Sequence, residues 1–86
     1  MALSKKQQAH VDRRHATAIR LIQKGVRARE LHRHTADSLF RRGFINTGDN
    51  LTAAALDFID AYEGGFEPEE YILTKTAARA GAEGRR

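Results

Sequence analysis

Glycine residues divide the 86-residue chain into four stretches, each carrying apolar residues at helical spacing. These glycines stand at positions 25, 43, 64, 65 and 81. Glycine commonly ends a helix, because it adopts the left-handed backbone conformation without a steric cost. The pattern predicts an all-α fold: a compact four-helix single domain over residues 1–80, with a flexible tail at 81–86. The predicted helices cover residues 5–24, 27–42, 51–63 and 68–80.

The first predicted helix carries a row of basic residues along its outer side. Ser4 and Gln7 have the spacing of a capping box, which predicts where this helix begins. At 100° per residue, one apolar side of this helix contains Val11, His15, Ala18 and Ile22, and Ile19 lies at its margin. The opposite side combines four cations, called the basic stripe below: Lys6, Arg13, Arg20 and Lys24.

The stretch from residue 27 to residue 42 has two interpretations. One is a continuous helix with an inward side made of Ala28, Leu31, Thr35 and Leu39. Its outer side would then carry a ladder of opposite charges, Arg33, Asp37 and Arg41. The other is a break, with Thr35 as the N-cap of a new helix. The sequence leaves both open.

Charge is distributed very unevenly along the chain. Residues 1–43 contain eleven basic and three acidic residues, a net charge of +8. Residues 44–73 contain seven acidic and no basic residues, a net charge of −7. A basic half of this kind favours a polyanionic ligand, whereas the acidic half repels one or binds a basic partner.

The basic half predicts a small DNA-binding protein, such as a transcriptional regulator, that holds double-stranded DNA by its phosphate backbone and acts as a homodimer. Rows of cations neutralise phosphates without needing contacts to the bases. The predicted nucleic-acid-binding residues are Lys6, Arg13, Arg20, Lys24, Arg27, Arg41 and Arg42.

The acidic half predicts an alternative function, a non-enzymatic adaptor or inhibitor that binds a basic protein. Small bipolar helical proteins of phages and plasmids offer an analogy for such a module. The residues predicted to bind the partner lie on the outer side of the third helix: Asp57, Asp60 and Glu63. A solvated acidic face is the plain structural explanation for the same residues.

Residues 35–63, which begin TADSLFRRGFINTGDNLT, resemble the back half of winged helix-turn-helix DNA-binding domains. In that family a recognition helix ends in a basic pair and a glycine, followed by apolar residues, as Phe40 to Ile45 do here. A short hairpin wing then leads to a Leu-Thr start of the next helix, which matches Leu51 and Thr52.

The resemblance implies a recognition helix and a vestigial β-wing at residues 44–51. It implies base or phosphate contacts from Ser38, Arg41 and Arg42, and contacts to the DNA backbone from the wing, Asn46 to Asn50. The alternative for Phe40 to Thr52 is a plain connector between two helices.

Catalytic and metal-binding patterns are weak in this sequence. The chain has no cysteine, so the sequence excludes both a disulfide and a thiolate zinc site. His10 and His15 are five residues apart and His32 and His34 two apart, so neither pair shares one helix face. We therefore predict a protein that is not an enzyme and binds no metal or cofactor. The chain lacks an apolar run long enough for a bilayer and is predicted to be cytoplasmic.

Overall fold

The fold is organised around α1, Lys5–Gln23, in a computed structural model that describes residues 4–74. Two shorter helices follow, α2 at Arg33–Arg41 and α3 at Ala53–Ala61. Short 3₁₀ turns lie at Ala28–Glu30 and Glu69–Tyr71. The described chain is mainly helical, which confirms the predicted all-α class.

Both predicted capping signals of α1 are present. The Ser4 hydroxyl accepts a hydrogen bond from the Gln7 backbone N–H at 3.2 Å, and the Gln7 side chain accepts one from the Ser4 N–H at 2.9 Å. At the other end Gly25 has φ +106°, and the Val26 N–H donates to the Leu21 carbonyl at 3.0 Å. This is a Schellman motif, in which a left-handed glycine lets the last carbonyls find donors.

The same motif ends α2. Gly43 has φ +75°, and the Phe44 N–H donates to the Leu39 carbonyl at 2.9 Å. In each motif the residue that follows the glycine packs into the core, beside the helix that the motif terminates. The glycines at 25 and 43 therefore end their helices as predicted, because each has a positive φ.

The centre of α1 is buried on all sides. Five consecutive residues, His15 to Ile19, are buried, and with 3.6 residues per turn they cover the whole circumference. The helix is thus the central element, packed by α2, by α3 and by the turn at Glu69–Tyr71. Ile19, predicted at the margin of the apolar side, is completely buried.

The large apolar side chains form a core, a half-buried set packed against it that includes Ile22, Leu51, Phe58 and Tyr62, and an exposed set. The core residues with the largest side chains are Ile19, Leu21, Val26, Leu31, Leu39, Phe44, Ile45, Ile59, Ile72 and Leu73. Within residues 4–74, four large apolar residues are instead exposed on the surface: Phe40, Leu56, Phe66 and Tyr71.

The prediction of one continuous helix over residues 27–42 is wrong. The backbone breaks at Leu31, which pairs with Leu73 in an antiparallel bridge, and the His32 N–H donates to the Ile72 carbonyl at 2.9 Å. α2 then begins at Arg33 with His32 as its N-cap, so the new cap is not Thr35. Pairing with a distant segment replaces the helical hydrogen bonds that this stretch would otherwise make.

The predicted helix over residues 68–80 also differs from the structure where the structure describes it. Glu69–Tyr71 forms one 3₁₀ turn, after which Ile72 and Leu73 enter the core. The rest of that helix and the tail predicted at 81–86 lie outside the described residues.

A tight hairpin turn connects α2 to α3. Ile45 and Leu51 form an antiparallel bridge, and the Asn46 side-chain oxygen accepts hydrogen bonds from the N–H groups of Gly48, at 2.9 Å, and Asn50, at 3.1 Å. The Asn46 side chain thereby substitutes for backbone acceptors inside the turn. Thr52 follows as the N-cap of α3.

Removing the Thr52 hydroxyl is expected to lower the free energy of unfolding by about 1 kcal/mol, the usual cost of losing an N-cap. This hydroxyl accepts from the Ala55 N–H at 3.4 Å and donates to the Gly43 carbonyl, so it fixes α3 against the end of α2. Urea denaturation of Thr52→Ala measures the loss. Thr52→Ser keeps the hydroxyl and should stay near the wild type; an equal loss in both variants would contradict the capping role.

Candidate nucleic-acid interface

The basic stripe of α1 faces carboxylates from the acidic half of the chain. Arg13 Nη1 lies 3.4 Å from Glu67 Oε1, which is also 3.4 Å from His10 Nδ1. Lys24 Nζ lies 3.7 Å from Glu69 Oε1. The Lys24–Glu69 pair is solvent-exposed and contributes little to stability, whereas the Glu67 side chain is only 13 % exposed. Both carboxylates reduce the positive potential that the stripe offers to a phosphate.

The other two residues of the stripe have no ion-pair partner within residues 4–74. Lys6 is exposed in the first turn of α1. Arg20 shares a cleft with Asp57 and Asp60 of α3, and its guanidinium carbon lies 5.9 Å from the centre of the Phe66 ring. The stripe is therefore a surface of mixed charge, bordered by α3 on one side and by residues 66–69 on the other.

Arg42, predicted to bind nucleic acid, is engaged within the protein. Its Nη1 donates to Asp12 Oδ1 at 2.8 Å and to His15 Nδ1 at 3.0 Å. Its guanidinium carbon lies 4.5 Å from the Phe44 ring centre and 4.9 Å from that of Phe58. Cation–π contacts and a carboxylate pair together hold this side chain in place. Arg42 thus joins the C-terminal end of α2 to α1.

His15 lies at the centre of this network and is neutral. An arginine can only donate hydrogen bonds, so His15 Nδ1 accepts from Arg42 and the ring proton is on Nε2. Nε2 then donates to Ser38 Oγ at 2.8 Å. Burial lowers the pKa of His15 to about 4, and the positive charge of Arg42 adds to this effect. The sequence placed His15 on the apolar side of α1 but did not predict its polar partners.

The outer face of α2 exposes a second group of cations. At 100° per residue, Arg33, Asp37, Phe40 and Arg41 fall within about 100° of one another, opposite the buried Thr35 and Leu39. Although opposite charges stand four residues apart here, the predicted ladder of ion pairs does not form within 4.0 Å in the described part of the chain. The two arginines keep their charges available to a ligand.

The 3₁₀ turn before α2 adds two more exposed arginines. Arg27 and Arg29 flank the buried Ala28, and the Glu30 side chain accepts from the Arg27 backbone N–H at 2.7 Å. An open cleft lies between this turn and the hairpin tip, where Gly48, Asp49 and Asn50 are found. The turn, which packs against α2, and the hairpin are therefore neighbours in space.

These four arginines form what we call the α2 basic face: Arg27, Arg29, Arg33 and Arg41. Across residues 4–74, none of them lies within 4.0 Å of a carboxylate oxygen. Only Arg27 and Arg41 were among the predicted binding residues. Arg29 and Arg33 were missed, although four arginines among fifteen residues, with few acids between them, are a visible sequence signal.

The predicted acidic partner site occupies the outer side of α3 and the residue positions just beyond it. Asp57, Asp60 and Glu63 are exposed, and none forms an ion pair within the described residues. Residues 4–74 hold no cluster of three or more side chains suited to a metal ion. Over the same residues, no helix has the length and apolar character needed to cross a membrane.

Comparison with protein-family models, with curated proteins and with solved structures finds no match to this chain.

Proposed function

We propose that the protein binds double-stranded DNA through the α2 basic face, as a small regulator of the kind that the basic half of the sequence predicts. The observation that carries this proposal is the contrast between two surfaces. In the α1 stripe, Arg13 and Lys24 have carboxylates within 4 Å, whereas the four arginines of the α2 basic face have none within residues 4–74. Within this part of the chain, a phosphate at the second surface would displace no carboxylate already paired with an arginine.

The charge of this face suits a phosphate backbone. Residues 27–41 carry these four arginines and two acids, Glu30 and Asp37, a net charge of +2. The guanidinium group binds phosphate oxygens in a bidentate manner and keeps its charge at any physiological pH. Such contacts position a protein on DNA without reading its sequence, so binding should be strongly salt-dependent and weakly selective.

The order of elements supports assigning α2 as the helix that meets DNA. α2 ends in the Schellman motif at Gly43, and the antiparallel pairing of Ile45 with Leu51 then brings the hairpin back before α3. This arrangement agrees with the winged helix-turn-helix resemblance and with a short wing at residues 44–51. Its tip lies beside Arg27 and Arg29, so turn and wing would contact the same DNA backbone.

Fluorescence anisotropy with an unrelated labelled duplex tests the proposal. Arg33→Gln combined with Arg41→Gln should reduce the slope of log K against log salt by about 2, because each phosphate contact contributes about 0.9. The matched control, Arg13→Gln with Lys24→Gln, removes two charges from the basic stripe and should leave the slope near that of the wild type. Thermal unfolding of each variant verifies that the fold is intact.

Two outcomes would overturn the assignment. A slope reduced only in the Arg13→Gln, Lys24→Gln variant would place the DNA on the basic stripe of α1. Complete absence of binding at low salt would favour the alternative function, a protein-binding adaptor that uses Asp57, Asp60 and Glu63, all of which are exposed. In that case neutralising these three acids should release a co-purifying basic protein.

A further inference from the structure

We infer that the surface centred on Arg20 is a homodimer interface, in which two copies of the chain meet around a two-fold axis. The inference does not depend on the proposed DNA binding, because it concerns other residues on another side of α1. We call it the Arg20 surface, and it comprises Arg20, Leu56, Asp57, Asp60 and Phe66.

Two exposed apolar side chains give this surface its anchors. Leu56 is 47 % exposed and Phe66 is 50 % exposed, although neither is near a chain end. Exposed large apolar residues are ordinary when single, but neighbouring ones commonly mark an interface. Aromatic and arginine side chains are also the residues that contribute most at protein interfaces.

Arg20 connects the two anchors into one surface. It lines one cleft together with Leu56, Asp57 and Asp60, and it lines the adjoining cleft together with Phe66. Its guanidinium carbon lies 5.9 Å from the Phe66 ring centre, and it has no ion-pair partner in residues 4–74. The charge is held in position but is not neutralised.

The charges of the surface select a second copy as the occupant. This face carries one unpaired arginine and two unpaired aspartates. A uniformly basic partner would be repelled by the arginine, and a uniformly acidic partner would be repelled by the aspartates. In a two-fold dimer each patch meets itself, so Arg20 of each copy faces Asp57 and Asp60 of the other. Both sets of charges are then satisfied in one interface, around the Leu56 and Phe66 anchors.

The position of Arg20 on α1 leaves the α2 basic face free. Arg20 lies about 140° around the helix from His15, whose ring contacts α2 through Ser38. Two copies joined by the Arg20 surface would therefore keep both α2 basic faces exposed. Dimerisation and DNA binding can be lost separately, which makes the two proposals distinguishable.

Light scattering coupled to size-exclusion chromatography tests the inference by charge reversal. The wild type should approach twice the 9.6 kDa monomer mass as its concentration rises. Arg20→Glu alone, and Asp57→Lys with Asp60→Lys alone, should each raise the dimer dissociation constant by at least about tenfold, because like charges then oppose each other. An equimolar mixture of these two variants should restore the dimer, since every reversed charge again meets its opposite.

Controls separate an interface from a folding defect. Phe40→Ala removes an equally exposed aromatic from the α2 side and should dimerise as the wild type does. Leu56→Glu should be monomeric while its circular dichroism spectrum is unchanged. A wild type that stays at 9.6 kDa at every concentration would overturn the inference. So would dimers that survive both reversals, or a mixture of reversed variants that fails to associate.

Discussion

Leu39→Ala is expected to lower the free energy of unfolding by about 2–5 kcal/mol, the range for truncating a fully buried leucine. Leu39 is 0 % exposed, and it is the only large apolar side chain that the nine-residue helix α2 buries. A domain of this size has a total stability on the order of 5–15 kcal/mol, so the loss would be a large fraction of it. Urea denaturation measures the change directly.

Phe40→Ala is the matched control for this prediction. Phe40 is the neighbouring residue and the larger side chain, but it is 51 % exposed, so its truncation should change stability by no more than about 0.5 kcal/mol. Leu39 also positions the helix that carries Arg33 and Arg41, so Leu39→Ala should weaken the proposed DNA binding under conditions where α2 detaches. Equal destabilisation by both truncations would contradict the packing described for α2.

Local signals predicted several elements well. The capping box at Ser4 and the glycine after the helix bound α1 to within one residue, because both signals act through hydrogen bonds to nearby backbone groups. In α3, Ala55 and Ile59 stand four residues apart on one side of the helix, and both are buried. Elements whose ends and inward sides depend on near neighbours can be predicted from the sequence.

Elements that depend on distant pairing could not be predicted in this way. Residues 27–42 have helical spacing throughout, yet the chain breaks at Leu31 because residues 72–74 pair with it: the Thr74 N–H donates to the Glu30 carbonyl at 2.9 Å. The same pairing draws Ile72 and Leu73 into the core and limits the predicted fourth helix, over its described part, to a single 3₁₀ turn. Tertiary hydrogen bonds and burial outweigh a local preference of a few tenths of a kcal/mol per residue.

The same distinction between contacts with near neighbours and contacts with distant residues applies to the candidate site. The sequence places cations on the outer sides of α1 and α2 correctly, since helical periodicity alone determines which side they share. It does not show that Glu67 and Glu69 return to Arg13 and Lys24, because these contacts join residues more than forty positions apart. Which cations remain free for a ligand is therefore a property of the tertiary fold.

Acidification from pH 6.5 to pH 4 is expected to cost about 3 kcal/mol of stability through His15 alone, because a tenfold change in proton affinity between the folded and unfolded states corresponds to about 1.36 kcal/mol. In the unfolded chain the imidazole has its ordinary pKa of 6.5, whereas in the fold burial and the charge of Arg42 lower the pKa to about 4. Between these values the unfolded state binds more protons. The stabilisation is complete above pH 6.5 and is lost progressively as the pH falls towards 4.

His15→Gln separates this effect from the general response of carboxylates to acid. Glutamine cannot titrate, so the variant should lose less stability than the wild type between pH 6.5 and pH 4, whatever its stability at neutral pH. His10→Gln is the control, because His10 is exposed and its substitution leaves the buried network intact. Urea denaturation at a series of pH values gives the slopes. Parallel pH profiles for His15→Gln and the wild type would contradict a buried neutral imidazole, and with it the hydrogen bonds by which His15 joins Arg42 and Ser38 at the junction of α1 and α2.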